Sequence, residues 1–525
     1  MIRTVPRTVP RIGLMHEWHP MNTCGTGVPP VFPPPGRRCH GRVLLVCLRF
    51  HLSHGMIALG LLLLTAGAQA APLDTTADAV LGQPNVTTNA PNQPSGLPTA
   101  DNLSVSNAAH VAVGPNGRLY VSDADNNRVL SWPDAASFAD GDAADMVIGQ
   151  PDFVSSTPNN GGVSASGFFL PQGLAVDAAG NLWVADAFNS RVLKFNNPLT
   201  DATPTEADLV IGQPDFVSNA ENLGQGGNGP AVALQDSIQF PGRVVVRGDD
   251  VYVADSGNSR VLHYTAPTTN KPFADLVFGQ FDDFTRRAKN NDGTGINGCC
   301  ASVDNLFNPI GLALDAEGNL YVADWNNHRV LRYDSPTTTD TTADAVYGQP
   351  DFISRATDNG GVANGFQLPI DLAFDRWGNL YVADSGNNRL LRFDSPRLNS
   401  VADGVFGQLG SFSAEAPNHG LGVLTADADG LFGPTGMAFD ALGNLYVVDT
   451  NNQRVLRFDT PFSSAGDLNC DGLTDLGDVA PFVSALTDPV TFAAGGCPLS
   501  RGDLDFDGNV DGRDIGLFVS LLLGN

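Results

Sequence analysis

The sequence predicts an all-β fold, a closed β-propeller of six four-stranded blades, followed by a small α-helical domain. One motif returns six times at intervals of 60–69 residues, and a fixed period of this length is typical of repeat architectures. Short apolar runs bounded by Gly, Asn, Asp and Pro surround each copy, and such runs indicate strands. After the last copy the pattern stops and two acidic loop motifs replace it.

Residues 1–70 have the features of a leader. Residues 1–40 are rich in Pro and Arg, and an apolar run from Ile57 to Ala66 is followed by Ala-Gln-Ala. This order is typical of a signal peptide, so we expect a secreted or extracytoplasmic protein. The run is too short to span a membrane. An alternative is that residues 1–45 reflect a misplaced start, with translation beginning near Met56.

Charge limits the class of partner. Without residues 1–70 the chain keeps 22 basic and 55 acidic residues, a formal net charge of −33. Such a surface repels phosphate backbones, so we do not expect a nucleic acid partner. It suits divalent cations.

The repeated motif supplies two strands of each blade. The copies span residues 118–132, 181–195, 250–264, 319–333, 379–393 and 444–458. A run such as GLALD (311–315) precedes each copy, and a run such as DAVYGQ (344–349) follows each copy except the last. Each unit therefore has four strands, named a to d in chain order, within a propeller domain over 72–462.

The ends of the repeat predict a closed ring. A lone fourth strand, DAVLGQP (78–84), precedes the first unit, and the sixth unit lacks one. The first strand can complete the last blade, which removes two exposed sheet edges.

The pattern GNLYVADSGNNRLLRFD (378–394) resembles the NHL repeat. The resemblance covers about 390 residues and is weakest in the third unit, where RVVVRGDD (243–250) replaces the usual first strand. It implies the propeller fold. It leaves function open, because the family includes binding scaffolds and a few enzymes.

Each copy carries Asp, Asn three residues later and Arg five residues later, for example Asp324, Asn327 and Arg329. A carboxylate beside a turn can accept from its N–H groups and pair with the Arg. Since the set recurs in all six copies, we interpret it as a lock for the b–c hairpin rather than as a catalytic site. Trp325 and His328 distinguish the fourth copy and are candidate ligand-binding residues.

Asymmetry points to one face of the ring. The d-to-a connections are long, and connections of that length are usually functional or disordered. They emerge on the same face as the b–c turns, which makes this long-loop face the candidate surface for a carbohydrate or protein ligand. At the start of strand a, His110, Arg243 and Asp371 align with three glycines. We expect these three residues to line the central channel. They either contact a ligand or result from sequence drift at a solvated position that tolerates substitution.

Enzymatic function is the alternative reading. Some similar propellers act as lyases or hydrolases, and a convergent His or acidic cluster at the channel mouth would distinguish them. The four His of the propeller are scattered over the repeat, and no Gly-x-Ser-x-Gly elbow occurs. We therefore predict no catalytic residues.

Four cysteines follow the leader: Cys299, Cys300, Cys470 and Cys497. An exported chain with an even count permits two disulfides. The adjacent Cys299 and Cys300 form either a strained vicinal disulfide or two free thiols. A bridge from Cys470 to Cys497 would stabilise the C-terminal domain.

Two motifs after residue 463 predict calcium loops. Asp or Asn fills positions 1, 3, 5, 9 and 12, with Gly at position 6, which is the pattern of an EF-hand-type loop whose position 7 binds through its backbone carbonyl. The ligands are Asp467, Asn469, Asp471, Leu473, Asp475 and Asp478 in the first loop, and Asp503, Asp505, Asp507, Asn509, Asp511 and Asp514 in the second. Leu473 and Asn509 would contribute backbone carbonyls, and each loop leads into a short amphipathic helix.

Asp at position 12 and a loop followed by one helix, used twice, resemble a type I dockerin over residues 466–525. The resemblance implies two calcium ions and docking to a cohesin-like partner, often in polysaccharide catabolism. The loops start 36 residues apart, which is longer than expected. Positions 10 and 11 also differ between the loops, and dockerins contact cohesins there. We expect a binding or assembly protein, with an extracellular hydrolase or lyase as the alternative.

Overall fold

The structure is a computed structural model. It describes residues 44–45, 63–64, 74–106, 108–200, 205–224, 232–291, 293–294, 297–298, 300–359, 361, 363, 365–462, 465–470, 473–493, 497–504 and 509–523. The chain divides into two compact units, residues 1–65 and 66–525. In the first, strands β1 (Leu44–Leu45) and β2 (Leu63–Leu64) pair antiparallel. The rest of the predicted signal peptide lies outside the described residues.

The second unit contains a six-bladed β-propeller, which confirms the propeller part of the predicted fold. Each blade is a four-stranded antiparallel sheet. The strands are β3 (Ala79–Leu81); β4 (Val111–Val113), β5 (Leu119–Asp123), β6 (Arg128–Trp132), β7 (Met146–Ile148); β8 (Pro171–Val176), β9 (Leu182–Asp186), β10 (Arg191–Phe195), β11 (Leu209–Ile211); β12 (Pro241–Arg247), β13 (Asp250–Asp255), β14 (Arg260–Thr265), β15 (Leu276–Phe278); β16 (Pro309–Leu314), β17 (Leu320–Asp324), β18 (Arg329–Tyr333), β19 (Ala345–Tyr347); β20 (Pro369–Phe374), β21 (Leu380–Asp384), β22 (Arg389–Phe393), β23 (Gly404–Phe406); and β24 (Pro434–Phe439), β25 (Leu445–Asp449), β26 (Arg454–Phe458). Blades 1 to 5 begin at β4, β8, β12, β16 and β20.

The ring closes as the sequence predicts. Strand β3 pairs antiparallel with β26, with Val80 opposite Leu456, and so completes blade 6. The first strands of neighbouring blades contact each other around the axis, which makes strand a the innermost strand.

The core lies between the blades. Successive residues of a strand point to opposite faces, and both faces of each sheet are covered by neighbouring blades. Between blades 4 and 5, for example, the Tyr321 and Phe374 rings meet edge to face at 5.0 Å, beside Val382 and Leu391. Six interblade clusters of this kind hold the ring together.

Short 3-10 helices occupy the tips of the b–c hairpins, parts of the connections and segments of the C-terminal region. They span Ala124–Asn126, Pro158–Gly161, Ala187–Asn189, Pro198–Thr200, Glu221–Gly224, Ser256–Asn258, Trp325–Asn327, Ser385–Asn387, Pro417–Gly420, Thr450–Asn452, Leu476–Asp478 and Leu499–Gly502.

The described part of the C-terminal region contains three short helices, one more than the two expected. They are α1 (Val479–Thr487), α2 (Pro489–Ala493) and α3 (Asp514–Leu523). Phe482 and Phe518 stack with ring centroids 4.1 Å apart, at the centre of a small apolar cluster. A disulfide joins Cys470 to Cys497. Across the described part of the chain, no helix combines the length and apolar character needed to cross a membrane.

Candidate functional site

The repeated Asp and Arg form a fully buried ion pair in every blade. They lie opposite each other across the b–c hairpin, as in the register of Asp324 with Arg329. The Arg Nε to Asp Oδ2 distance is 2.6–2.8 Å in the pairs Asp123–Arg128, Asp186–Arg191, Asp255–Arg260, Asp324–Arg329, Asp384–Arg389 and Asp449–Arg454. The repeated Asn donates to the same carboxylate, at 2.7 Å for Asn327. These groups satisfy one another, which supports the interpretation as a hairpin lock.

Each Arg also holds two long connections. In blade 4, Arg329 Nη2 donates to the carbonyls of Ser302 and Asn305 in the preceding connection, at 3.0 and 2.9 Å. Its Nη1 donates to the carbonyl of Phe352 in the following connection, at 2.5 Å. The guanidinium thus fixes the backbone of the long-loop face, which the sequence pattern did not reveal.

His328 links blade 4 to blade 5. It follows Trp325–Asn327 in the left-handed conformation, with φ 53°. Its Nδ1 accepts from the backbone N–H of Leu368 at 3.1 Å, and in blade 1 Asn127 accepts from Leu170 in the same way at 2.9 Å. Burial lowers the pKa of His328 and so favours the neutral ring that can accept. The neighbouring Trp325 is half-buried.

The three asymmetric residues predicted at the channel meet on the axis. Arg243 Nη1 lies 2.5 Å from His110 Nδ1, and its Nε lies 3.6 Å from Asp371 Oδ1. His110 Nε2 lies 3.2 Å from Asp371 Oδ2, which also accepts from the Met437 N–H at 2.8 Å. We call these three residues the channel triad. His110 and Asp371 are each only 3% exposed, so the triad closes the channel at this level.

Electrostatics match this closed arrangement. Burial, followed by the Arg243 charge, lowers the pKa of His110 to about 4. Burial alone would raise the pKa of Asp371, but the Arg243 charge and His110 outweigh it and hold the pKa below its usual value. At neutral pH the triad therefore holds one cation, one anion and a neutral imidazole.

The three glycines at the aligned position make room for the triad. A Cβ on Gly173 would lie 2.6 Å from Arg243 Cα, and one on Gly311 would lie 2.7 Å from Asp371 Cα. A Cβ on Gly436 would lie 2.6 Å from His110 Cα. Large and small residues thus alternate around the ring. The close packing around the channel triad therefore requires glycine at these positions, whereas the sequence alone suggested no particular role for them.

The opposite end of the channel is a shallow cavity of about 240 Å³. Its lining is mainly apolar, including Val113, Val176 and Phe439. Of its two carboxylates, Asp440 accepts from the Asn444 side chain and the Tyr446 hydroxyl, and Asp177 is bonded to Asn181 in the same way. These acids shape the a–b turns.

An aromatic cluster on the long-loop face escaped the sequence analysis. The Phe188 ring lies 5.1 Å from Phe169 and 5.3 Å from Phe240, and Phe188 is 44% exposed. Phe240 precedes a proline with φ 48°, an unfavourable backbone conformation for a bulky residue. The available signal was Phe188 itself, since the corresponding hairpin positions in the other copies are Asp, Gly or Asn.

The described parts of the two predicted calcium loops share one geometry. Asp478 Oδ1 accepts from the Leu468 N–H and Oδ2 from the Asp475 N–H, both at 2.8 Å. Asp514 repeats both bonds, to Leu504 and Asp511, at 2.7 and 2.8 Å. Both carboxylates are fully buried. The loops thus fold around their position-12 acids.

Three predicted ligands, Asp471, Asp505 and Asp507, lie outside the described residues, as does Cys299. Within the residues that are described, no group of three or more His, Cys, Asp or Glu side chains is placed to hold a metal ion. Calcium binding therefore stays a prediction. The Cys299–Cys300 pair also stays a prediction, and Cys300 is exposed.

The C-terminal region attaches to blade 5 through Arg501, which is 0% exposed. Arg501 Nη1 pairs with Asp467 Oδ2 at 2.6 Å. Its Nη2 donates to Asn379 Oδ1 at 2.9 Å and to Ser395 Oγ at 3.2 Å, both on blade 5. Nearby, Trp377 is 4% exposed. Trp377 stands where the other a–b turns carry smaller residues, and this difference is the sequence signal for the contact.

Comparison with known proteins identifies the repeat. The family model described as "NHL: NHL repeat" matches residues 170–195, 239–264, 308–333, 366–393 and 433–458. Five of the six units therefore match the NHL repeat, and they lie within a six-bladed propeller. The match includes the third unit, where the resemblance appeared weakest, and leaves out the first.

Solved structures share low similarity with the chain. Virginiamycin B lyase from Staphylococcus aureus is 11% identical, with 74% of this chain and 98% of that chain covered and a TM-score of 0.36. A protein of unknown function from Bacteroides thetaiotaomicron is 13% identical, covering 77% and 80%, with a TM-score of 0.42. An auxiliary nutrient binding protein from the same organism is 13% identical, covering 67% and 69%, with a TM-score of 0.39. At these values none informs function. No curated protein sequence matches the chain.

Proposed function

We propose that this chain is an extracytoplasmic, non-enzymatic binding and assembly protein. The propeller presents its long-loop face to a carbohydrate or protein ligand, and the C-terminal region takes up two calcium ions and serves for docking. The observation that carries the binding role is the closed channel triad. His110 and Asp371 are buried and the three side chains contact one another, which leaves the loops above them as the accessible surface.

The long-loop face has the properties of a binding platform. Its backbone is fixed by the six buried Arg side chains, and rigid loops lose little conformational entropy on binding. The exposed Phe188 ring offers an apolar contact. Gln239 lies beside this cluster and is hydrogen-bonded to Glu221 and Arg287, at 2.7 and 3.0 Å. An aromatic surface edged by polar groups suits sugar rings and peptide segments alike.

Screening the full mature chain on immobilised glycans and on envelope proteins tests the platform. Replacing Phe188 with Ala is expected to weaken binding at least about tenfold, since buried aromatic anchors dominate many interfaces. The matched control is Phe273→Ala, in the c–d connection on the opposite face, where Phe273 is 65% exposed. Equal binding by both variants would show that the Phe188 cluster does not contribute to ligand binding.

Calcium uptake is proposed for the C-terminal loops. Support comes from residue type and spacing, and from the buried position-12 carboxylate in each loop, which accepts hydrogen bonds from the loop backbone. Bound calcium would supply a structural charge there, held by the acidic side chains and the Leu473 and Asn509 carbonyls. Calorimetry on the full chain is expected to show two sites. Asp507→Asn should weaken the second site and leave the first, and absence of heat with the wild-type chain would refute calcium binding.

A docking partner of the cohesin kind follows from the same loops. Capture from the envelope fraction of the source organism, with and without a chelator, is the corresponding experiment. Calcium-dependent recovery of one defined partner supports docking, whereas equal recovery with and without the chelator contradicts it.

One observation favours the enzymatic alternative, a hydrolase or lyase. His110, Arg243 and Asp371 do converge, which is the feature expected of a catalytic propeller. Their burial and mutual pairing oppose this reading, since a general base needs to reach its substrate. Assays on polysaccharides with the wild-type chain and Asp371→Asn decide between them. Turnover that the substitution abolishes would establish the alternative.

A further inference from the structure

One donor and one acceptor of the channel triad have no partner among the described residues. Arg243 Nη1 donates to the Leu174 carbonyl at 2.8 Å and lies 2.5 Å from His110 Nδ1, but its Nε makes no hydrogen bond there. Asp371 Oδ2 accepts from the Met437 N–H at 2.8 Å, whereas Oδ1 accepts from no described group. Both atoms are shielded from solvent, and shielded polar atoms are almost always hydrogen-bonded, to protein or to water.

The two atoms lie opposite each other across a short gap. The distance from Arg243 Nε to Asp371 Oδ1 is 3.6 Å, which is too long for a direct hydrogen bond. Their charges attract at this distance, but the N–H and the oxygen lone pair are not used by each other. A water molecule commonly joins two polar groups at such a separation, because it can lie about 2.8–3.0 Å from both.

A small cavity lies at the same level of the axis and is lined by the channel triad. Its volume is about 10 Å³, close to the smallest volume that holds one water molecule. Among the described lining residues outside the triad, only Thr435 has a polar side chain. Its hydroxyl is engaged elsewhere, with the Ala109 carbonyl at 2.9 Å and the Thr450 hydroxyl at 2.6 Å. The side-chain partners for a molecule in this cavity therefore come from the triad.

We propose that this cavity is a binding site for one water molecule, which accepts from Arg243 Nε and donates to Asp371 Oδ1. The water gives each charged group the hydrogen bond that the two side chains do not give each other. The ion pair is thus completed through the water, and the channel is closed by three side chains and one bound molecule. The site is independent of the proposed ligand binding and calcium uptake.

Charge selects water rather than an ion. Arg243 carries a positive charge and Asp371 a negative one. His110 Nδ1 can accept from the Arg243 guanidinium only when the imidazole is neutral, since the guanidinium has no acceptor. The triad therefore has no net charge, and a chloride or sodium ion would bring an uncompensated charge into a closed site, which is costly. The volume of the cavity also excludes larger solutes.

A high-resolution crystal structure of the mature chain tests the site directly. We expect density for one oxygen atom within about 3.2 Å of both Arg243 Nε and Asp371 Oδ1. Well-defined side chains with no density between them would overturn the proposal. Crystals soaked in bromide and in rubidium distinguish the ionic alternatives, and an anomalous peak from either ion at this position would also overturn it.

Oxygen-17 relaxation dispersion in solution gives a second readout, the number of long-lived internal waters. The double variant Arg243→Met with Asp371→Leu is expected to hold one fewer than the wild type, because both partners of the water are removed. The matched control is Arg286→Met with Asp283→Leu, which removes a partly exposed ion pair and should leave the number unchanged. Equal numbers in the triad variant and the wild type would contradict the site. The wild-type crystal structure does not depend on the variant folding.

Discussion

A buried Asp–Arg ion pair recurs in all six blades. In each blade the Arg is hydrogen-bonded to the backbone of the neighbouring connections. The polar motif could have belonged to an active site, but its contacts show a structural role. An active site needs one set of groups at one place, whereas these groups recur in all six blades and are satisfied by neighbouring backbone.

Breaking one pair should be costly. Arg260→Met leaves Asp255 buried without its cation, and we expect the free energy of unfolding to fall by about 3–5 kcal/mol. Arg286→Met, which removes a partly exposed pair with Asp283 at 2.9 Å, should cost less than about 1 kcal/mol. Urea unfolding measures both. Similar losses for the two variants would contradict the role assigned to the buried pair.

His110 gives a pH dependence. Its pKa in the folded chain is about 4, against 6.5 ordinarily, so between these values the unfolded chain binds more protons and acid lowers stability. The stability advantage of the wild type over His110→Gln should therefore shrink by about 2 kcal/mol between pH 7 and pH 5. Urea unfolding of both proteins at the two pH values provides the measurement. A constant difference would show that His110 is not held neutral.

At the scale of elements, the strand a positions around the axis depend on one another. Each large residue of the channel triad faces a glycine of the preceding blade. The triad residue and the glycine could not be explained from one blade alone, because each contact joins two blades: the paired residues are 60 or 70 apart in the sequence in two cases, and 326 apart where blade 6 meets blade 1.

Gly311→Ala tests this alternation. Its Cβ would lie 2.6 Å from the Ile370 carbonyl oxygen, so the backbone must shift, and we expect a loss of about 1–3 kcal/mol. Gly162→Ala, where a Cβ meets nothing within 4 Å, should change stability by less than about 0.5 kcal/mol. Thermal unfolding distinguishes them, and a neutral Gly311→Ala would disprove the steric account.

At the scale of the whole molecule, closure by strand β3 converts six sheets into one ring. Blade 6 takes three strands from the end of the propeller and one from its beginning. Strand β3 thereby covers the edge of β26 and gives blade 6 four strands, like the other blades.

Deleting residues 74–84 from the mature chain should expose the edge of β26. We expect a fall in melting temperature of at least about 5 °C and a tendency to self-associate, because an unpaired edge is a template for another strand. Light scattering and calorimetry measure both. A monomer with unchanged melting temperature would mean that closure contributes little.

Much of this architecture could be read from the sequence. The six hairpin motifs, the lone first strand and the missing last strand determined the blade number and the closure, because local turn chemistry and strand periodicity are encoded within each repeat. The alignment of the repeats also singled out His110, Arg243 and Asp371.

Only the tertiary structure decided what those residues do. It placed the channel triad in a closed plug, Phe188 in an aromatic cluster, and Arg501 against blade 5. Each of these contacts joins residues far apart in the chain, and their energies depend on burial and on the partners that the closed ring brings together. The repeat encodes the blade, whereas the chemistry of the sites arises from packing one blade, or the C-terminal region, against another.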